Sequence, residues 1–132
     1  MFNENRIIGI GPRLFRKNCN NKEFVVSLES CSTHPHNTYF QLLAEVGLLG
    51  FLQIFSFFLL LTYLSFKHFF LLITNKKMLF NEFEVALLSC FIITLWPFTP
   101  TGNFFGNWLN IIYYLPAGFF LYSINNRNVK FT

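Results

Sequence analysis

A chain of 132 residues that is 53% hydrophobic, 20% aromatic and only 12% charged carries too little charge and too many large apolar side chains for a soluble domain of its size. Its composition points to an integral membrane protein with one compact unit, whose 20 Phe suit lipid-facing helices or reflect the base composition of the coding sequence. The formal charge of +4 is unevenly spread, because five of the ten Lys and Arg (Arg6, Arg13, Arg16, Lys17 and Lys22) precede His34.

Residues 1–38 read as an extramembrane segment. The opening MFNENRIIGIG lacks the basic-then-apolar order of a signal peptide. GIGP is too short for a phosphate-binding loop and is followed by neither Lys-Ser/Thr nor a third glycine. An apolar run over residues 39–66, almost purely apolar from residue 46, exceeds the roughly 20 residues that cross a bilayer. A second run covers residues 83–98, bounded by Asn81 and Glu82 on one side and Pro97 on the other, and is short enough to need its flanks. PFTPTGNFFGN follows as a turn-rich loop. The last run covers residues 108–124 and contains Pro116, which removes a backbone hydrogen bond and predicts a kink. The fold class expected is all-α and polytopic, with about three membrane helices in region 39–132 after a loop segment over 1–38.

Charge next to the helix ends sets the orientation. Lys22 stands alone before the first helix, whereas Lys67, Lys76 and Lys77 follow it and Arg127 and Lys130 follow the third. This puts residues 66–82 and the C-terminal tail in the cytoplasm, and the N-terminal segment and the loop around Thr101 outside. Arg6, Arg13, Arg16 and Lys17 then lie on the side the rule disfavours. Either they are tolerated because they are far from a helix end, or they hold an anion.

The densest polar chemistry lies in CSTHPHNTYFQLLAE, at the mouth of the first membrane run, where polar groups are expensive to keep. Thr38 with Gln41 three residues on predicts a capping box and a helix from Tyr39. His36 and Asn37 would flank a helix end whose free N–H groups favour phosphate. Pro35 holds His34 extended. Thr38, Gln41 and Glu45 fall on one helical stripe, with Glu45 roughly 10 Å along the helix and facing protein or a wet cavity. Gly47 and Gly50 would let a neighbouring helix come close. Imidazole titrates near neutrality, so His36 is suited to take a proton from a hydroxyl; the alternative is a histidine that only caps the interface. His34 and His36 without nearby Cys or Asp make a weak metal signal.

His36-Asn37, nine residues, Gly47, two residues and Gly50 resemble the pattern His-(Asn/Ser/Gln), nine of any kind, Gly, two of any kind, Gly/Thr/Val of the O-antigen ligases, in the wider superfamily of O-antigen ligases and polymerases. IIGIGPRLF is similar to the Gly-x-Gly-Pro stretch that precedes this motif in the superfamily's large periplasmic loop. The resemblance covers residues 7 to about 60; the later helices match by hydropathy alone.

The resemblance implies an inverting glycosyltransferase of the bacterial inner membrane. Such an enzyme moves a glycan from an undecaprenyl-diphosphate carrier to an acceptor sugar hydroxyl of a glycan or lipid A-core on the periplasmic side. It implies no cofactor, metal, nucleotide sugar or nucleic acid. It gives His36 the role of activating the acceptor hydroxyl. Arginines hold the diphosphate, for which guanidinium forks are suited, and Arg13 and Arg16 are the candidates here. Asn37, Gln41, Glu45 and His34 become supporting residues. An outward, oxidising location would permit a Cys19–Cys31 disulfide worth roughly 3 kcal/mol in the entropy model, the alternative being two free thiols; Cys90 reads as a small buried hydrophobe. Family members carry many more membrane helices than the three read here. The chain is therefore expected to be the C-terminal portion of a larger enzyme, a truncated reading frame or one piece of a split protein, inactive alone and partnered by the missing N-terminal part. A repeat-unit polymerase of the same superfamily is the closest alternative, and a small non-catalytic membrane protein the alternative from another class.

Overall fold

A computed structural model describes residues 1–25 and 31–129. Lys130, used above for orientation, lies outside the described residues. The order is α1 (Phe15–Asn18), α2 (Thr38–Glu45), α3 (Gly47–Ile73), α4 (Glu82–Thr94) and α5 (Asn107–Val129), with no strand among the described residues. The chain divides into two compact units rather than one: Met1–Ser56 with Pro97–Asn110, and Phe57–Trp96 with Ile111–Thr132.

The single helix expected over residues 39–66 is two helices, broken at Val46. Its cause lies outside the apolar pattern. Gly47 has a φ of 65°, in the left-handed region, and the N-terminal segment crosses the junction there. Ile10 and Gly11 donate their N–H groups to the carbonyls of Ala44 and Glu45, and Leu48 and Leu49 donate theirs to Arg6 and Ile7. The end of α2 and the start of α3 would otherwise leave these groups unpaired. Each such bond stabilises by about 1 kcal/mol net. A Cβ on Gly47 would run into the Ile7 carbonyl, and one on Gly9 would come within 2.5 Å of the Glu45 carbonyl carbon. Gly47 thus serves a backbone crossing rather than the helix–helix approach expected. A Cβ on Gly50 would meet only Val46 of its own turn. Behind the junction Tyr39, Phe51 and Phe55 pack together, with Phe51 and Phe55 stacked at 5.3 Å and Tyr39 edge-on to both.

In the second unit, α3 is ended by Asn75. It takes a φ of 51° while Asn75 N–H bonds Leu72 and Lys76 N–H bonds Leu71, the pattern of a left-handed C-terminal cap. α4 begins with a reciprocal capping box between Asn81 and Glu84. The Glu84 carboxylate is fully buried and also accepts from the Ser123 hydroxyl of α5 at 3.0 Å. Phe80, Phe91 and Phe120 form the aromatic centre of this unit.

α3 is the one described helix long and apolar enough to cross a membrane, with a mean hydropathy of 2.0 in its most apolar window, of which only 17% is buried. α4 has 13 residues, about 20 Å, against a hydrocarbon core of about 30 Å. It stops at Thr94 rather than near residue 98, because Pro97 disfavours helical backbone at Trp96. α5 is 23 residues long, contains Pro116 and ends in polar residues.

Candidate functional site

The first unit brings together most of the polar residues expected to matter. The N-cap of α2 is Asn37 rather than Thr38. Asn37 is extended, with a φ of −147°, and its Oδ1 accepts from the N–H groups of Tyr39 at 2.9 Å and Phe40 at 3.2 Å. A short carboxamide reaches these amides readily. Two donors of the helix end are thereby taken, which removes them from the phosphate site expected there. Thr38 is the first helical residue, and its hydroxyl pairs with that of Thr101 at 2.9 Å. Gln41 is no capping-box partner, because its amide is used elsewhere.

Gln41 and Glu45 are both about 1% exposed. Gln41 Nε2 donates to Glu45 Oε2 at 3.0 Å and to Asn103 Oδ1 at 2.7 Å. Gln41 Oε1 accepts from the Phe104 N–H at 2.9 Å. The other Glu45 oxygen accepts from the Phe15 N–H at the start of α1, at 2.9 Å. Glu45 therefore faces protein, and the stripe of Thr38, Gln41 and Glu45 is wholly buried. Satisfied on every side, these groups form a rigid polar core rather than an unpaired charge.

His36 is exposed and sits at a φ of 53°, uncommon for a residue with a side chain. Its carbonyl accepts from the Thr101 N–H at 2.9 Å, while no described protein group hydrogen-bonds its imidazole. The left-handed turn brings its ring to 4.3 Å from that of His34, although Pro35 lies between them in sequence. His34 Nδ1 is 2.9 Å from the Thr33 hydroxyl, and its Nε2 is buried without a partner among the described residues. His34 thus backs the His36 ring, a contact the extended backbone expected at Pro35 did not suggest.

Arg13 is exposed and has a φ of 61°. Its Nε donates to the Phe105 carbonyl at 3.1 Å and its Nη2 to Asn107 Oδ1 at 3.2 Å, with Nη2 also on the Phe105 carbonyl. One edge of the guanidinium is thus committed to the loop before α5. Arg16, in the last turn of α1, is exposed and has no described side-chain partner. Cys19 and Cys31 lie with Cα atoms 5.2 Å apart and their sulfurs at bonding distance, within the range a disulfide requires. Cys90, expected buried, is exposed. Among the described residues no group of three or more His, Cys, Asp or Glu is placed to hold a metal ion.

Sequence reasoning missed the loop between α4 and α5. Asn37 Nδ2 donates to the Pro97 carbonyl at 2.7 Å, so Pro97, Thr101, Asn103, Phe104, Phe105 and Asn107 all bond the α2 start or Arg13. The signal was present as the density of Asn and Thr in PFTPTGNFFGN, which read only as a turn.

Residues 1–55 match the O-Antigen ligase family model. The match holds Gly9, Gly11, His36, Asn37, Gly47 and Gly50, the residues that carried the resemblance. This segment of the chain is similar to the O-antigen ligases, in agreement with the resemblance carried by the histidine and glycine motifs. No curated protein and no solved structure matched the chain.

The pairing of Cys19 and Cys31 gives a direct check. In material from an oxidising compartment, non-reduced peptide mass spectrometry should find the two peptides joined. Both thiols alkylated without reduction would reject the bridge and leave the histidine site untouched.

Proposed function

We propose that this chain takes part in transfer of a glycan from undecaprenyl diphosphate to an acceptor sugar hydroxyl, at the periplasmic face of the bacterial inner membrane. The observation that carries the reading is His36: an exposed imidazole to which no described protein group hydrogen-bonds, on a backbone held by Thr101, inside the family-matched segment. In the proposed step the acceptor O–H gives its proton to a ring nitrogen of His36 as its oxygen attacks the anomeric carbon. The bond from that carbon to the diphosphate oxygen breaks, and the electron pair leaves with the diphosphate. Attack opposite the leaving group inverts the anomeric centre. Positive charge stabilises the departing oxygens, a role proposed for Arg16 and for the uncommitted edge of Arg13. The mostly exposed apolar surface of α3 suits lipid, and the shared unit of Met1–Ser56 and Pro97–Asn110 supports a common outer side for both.

The test is a transfer assay in membranes carrying the full-length protein, with a labelled lipid-linked glycan as donor. Label moving to a lipid A-core acceptor supports the ligase, and label moving into a longer lipid-linked glycan supports the polymerase. Persistence of the donor, with neither product, contradicts the reading.

In the same assay Arg16→Ala should lower transfer by roughly 10- to 100-fold, the value of about 1.5–3 kcal/mol for a hydrogen bond to a charged group. Arg16→Lys should recover part of it, keeping charge but losing the two-pronged contact. Wild-type rates for Arg16→Ala would remove Arg16 from the diphosphate site.

A further inference from the structure

The loop over residues 97–107 lies outside the family-matched segment, yet it carries the partners of both proposed chemical groups. Thr101 holds the His36 backbone and the Thr38 hydroxyl. Phe105 and Asn107 hold the Arg13 guanidinium. Thr101 and Phe105 are four residues apart, so their Cα atoms are separated by no more than about 14 Å. Between these anchors lies Asn103. Its Oδ1 accepts from Gln41 Nε2 at 2.7 Å and, within the loop, from the Phe105 N–H at 3.0 Å. Its carbonyl accepts from the Gly106 N–H at 2.8 Å. One side chain therefore both shapes the turn that presents Phe105 to Arg13 and fastens that turn to α2.

The α2 end of this fastening is rigid. Gln41 is buried, and Glu45 fixes the orientation of its amide by taking the second N–H. That orientation leaves Gln41 Oε1 for the Phe104 N–H. Two hydrogen bonds thus run between Gln41 and the loop, one in each direction, and they set its register on the helix.

We propose that Asn103 is a positioning residue for the transfer reaction: through Gln41 it fixes the 97–107 loop so that His36 and Arg13 stand at a constant separation. This rests on the glycan-transfer reading for its chemical consequence, while the loop's placement is testable alone. Without the Asn103 amide the loop loses its central tie, and both anchors shift relative to each other. Misplacing reacting groups by about 1 Å lowers rates by as much as 10²-fold.

The experiment has two readouts in membranes carrying the full-length protein. The first is oxidative cross-linking of a Thr38→Cys, Thr101→Cys double variant, scored by mass spectrometry of the joined peptides, with and without Asn103→Ala. The second is transfer kinetics of Asn103→Ala in the otherwise unaltered protein. Expected are efficient cross-linking that drops several-fold with Asn103→Ala, and a kcat lower by about tenfold or more with KM for the lipid-linked donor changed little. Cross-linking unaffected by Asn103→Ala, or kcat within twofold of wild type, would overturn the proposal. The Gln41→Leu variant guards against a trivial effect of the alanine: it should reproduce the kcat loss, and adding Asn103→Ala to it should lower kcat little further. Full additivity of the two losses would also overturn the proposal. If cross-linking behaves as expected while no transfer product forms at all, the glycan-transfer reading fails and the positioning role falls with it, whereas the loop's seat on α2 stands.

Discussion

Replacing Gly47 by alanine is expected to release the N-terminal segment from the α2–α3 junction. The residue sits at a φ of 65°, where a side chain costs roughly 1–2 kcal/mol. Its new Cβ would point at the Ile7 carbonyl and lie 2.6 Å from the Gly9 nitrogen. These are backbone atoms, so rotamer changes give no relief. The Leu48 and Leu49 bonds to Arg6 and Ile7 would lengthen or break, each worth about 1 kcal/mol. The summed loss should be about 3 kcal/mol or more, seen as a lower melting temperature in detergent and as protease cleavage within residues 1–20. Gly118→Ala is the control, because a Cβ there meets nothing within 4 Å and alanine favours the helix by up to about 1 kcal/mol. A Gly47→Ala protein that melts like wild type would refute the crossing as the function of this glycine.

The helices were legible because apolar runs register in composition. What was not legible depended on contacts between distant parts of the chain. The pattern from Tyr39 to Phe66 gives no hint of a break at Val46, since apolar residues continue through it; the break is imposed by residues 6–11. The two glycine signals, GIGP and the Gly47 of the histidine motif, were each visible but read as separate, and the structure joins them. The choice between Asn37 and Thr38 as cap turned on Thr101, some 60 residues later, which takes the Thr38 hydroxyl. Gln41 stood out in the sequence but was read with the wrong partner, because the capping-box pattern is local while its partners Asn103 and Phe104 are distant. The His34–His36 ring contact required a left-handed residue after Pro35, a conformation for which histidine is enriched but still uncommon, so residue type signals it only weakly.

The central claim is that His36 takes the proton of the acceptor hydroxyl. Its imidazole is exposed and makes no hydrogen bond to a described protein group, so removing it should leave insertion and abundance unaltered. Two variants separate chemistry from backbone. His36→Ala removes the base, and His36→Asn removes it while keeping a residue type that tolerates a φ of 53°. His34→Ala should cost less than either, though more than its place outside the motif suggests, because His34 backs the His36 ring at 4.3 Å. The decisive measurement is the transfer rate from lipid-linked donor to acceptor at equal protein level. A fall of about 10²–10⁴ for both His36 variants is the predicted result, and a rate within a few-fold of wild type for either one would contradict the account.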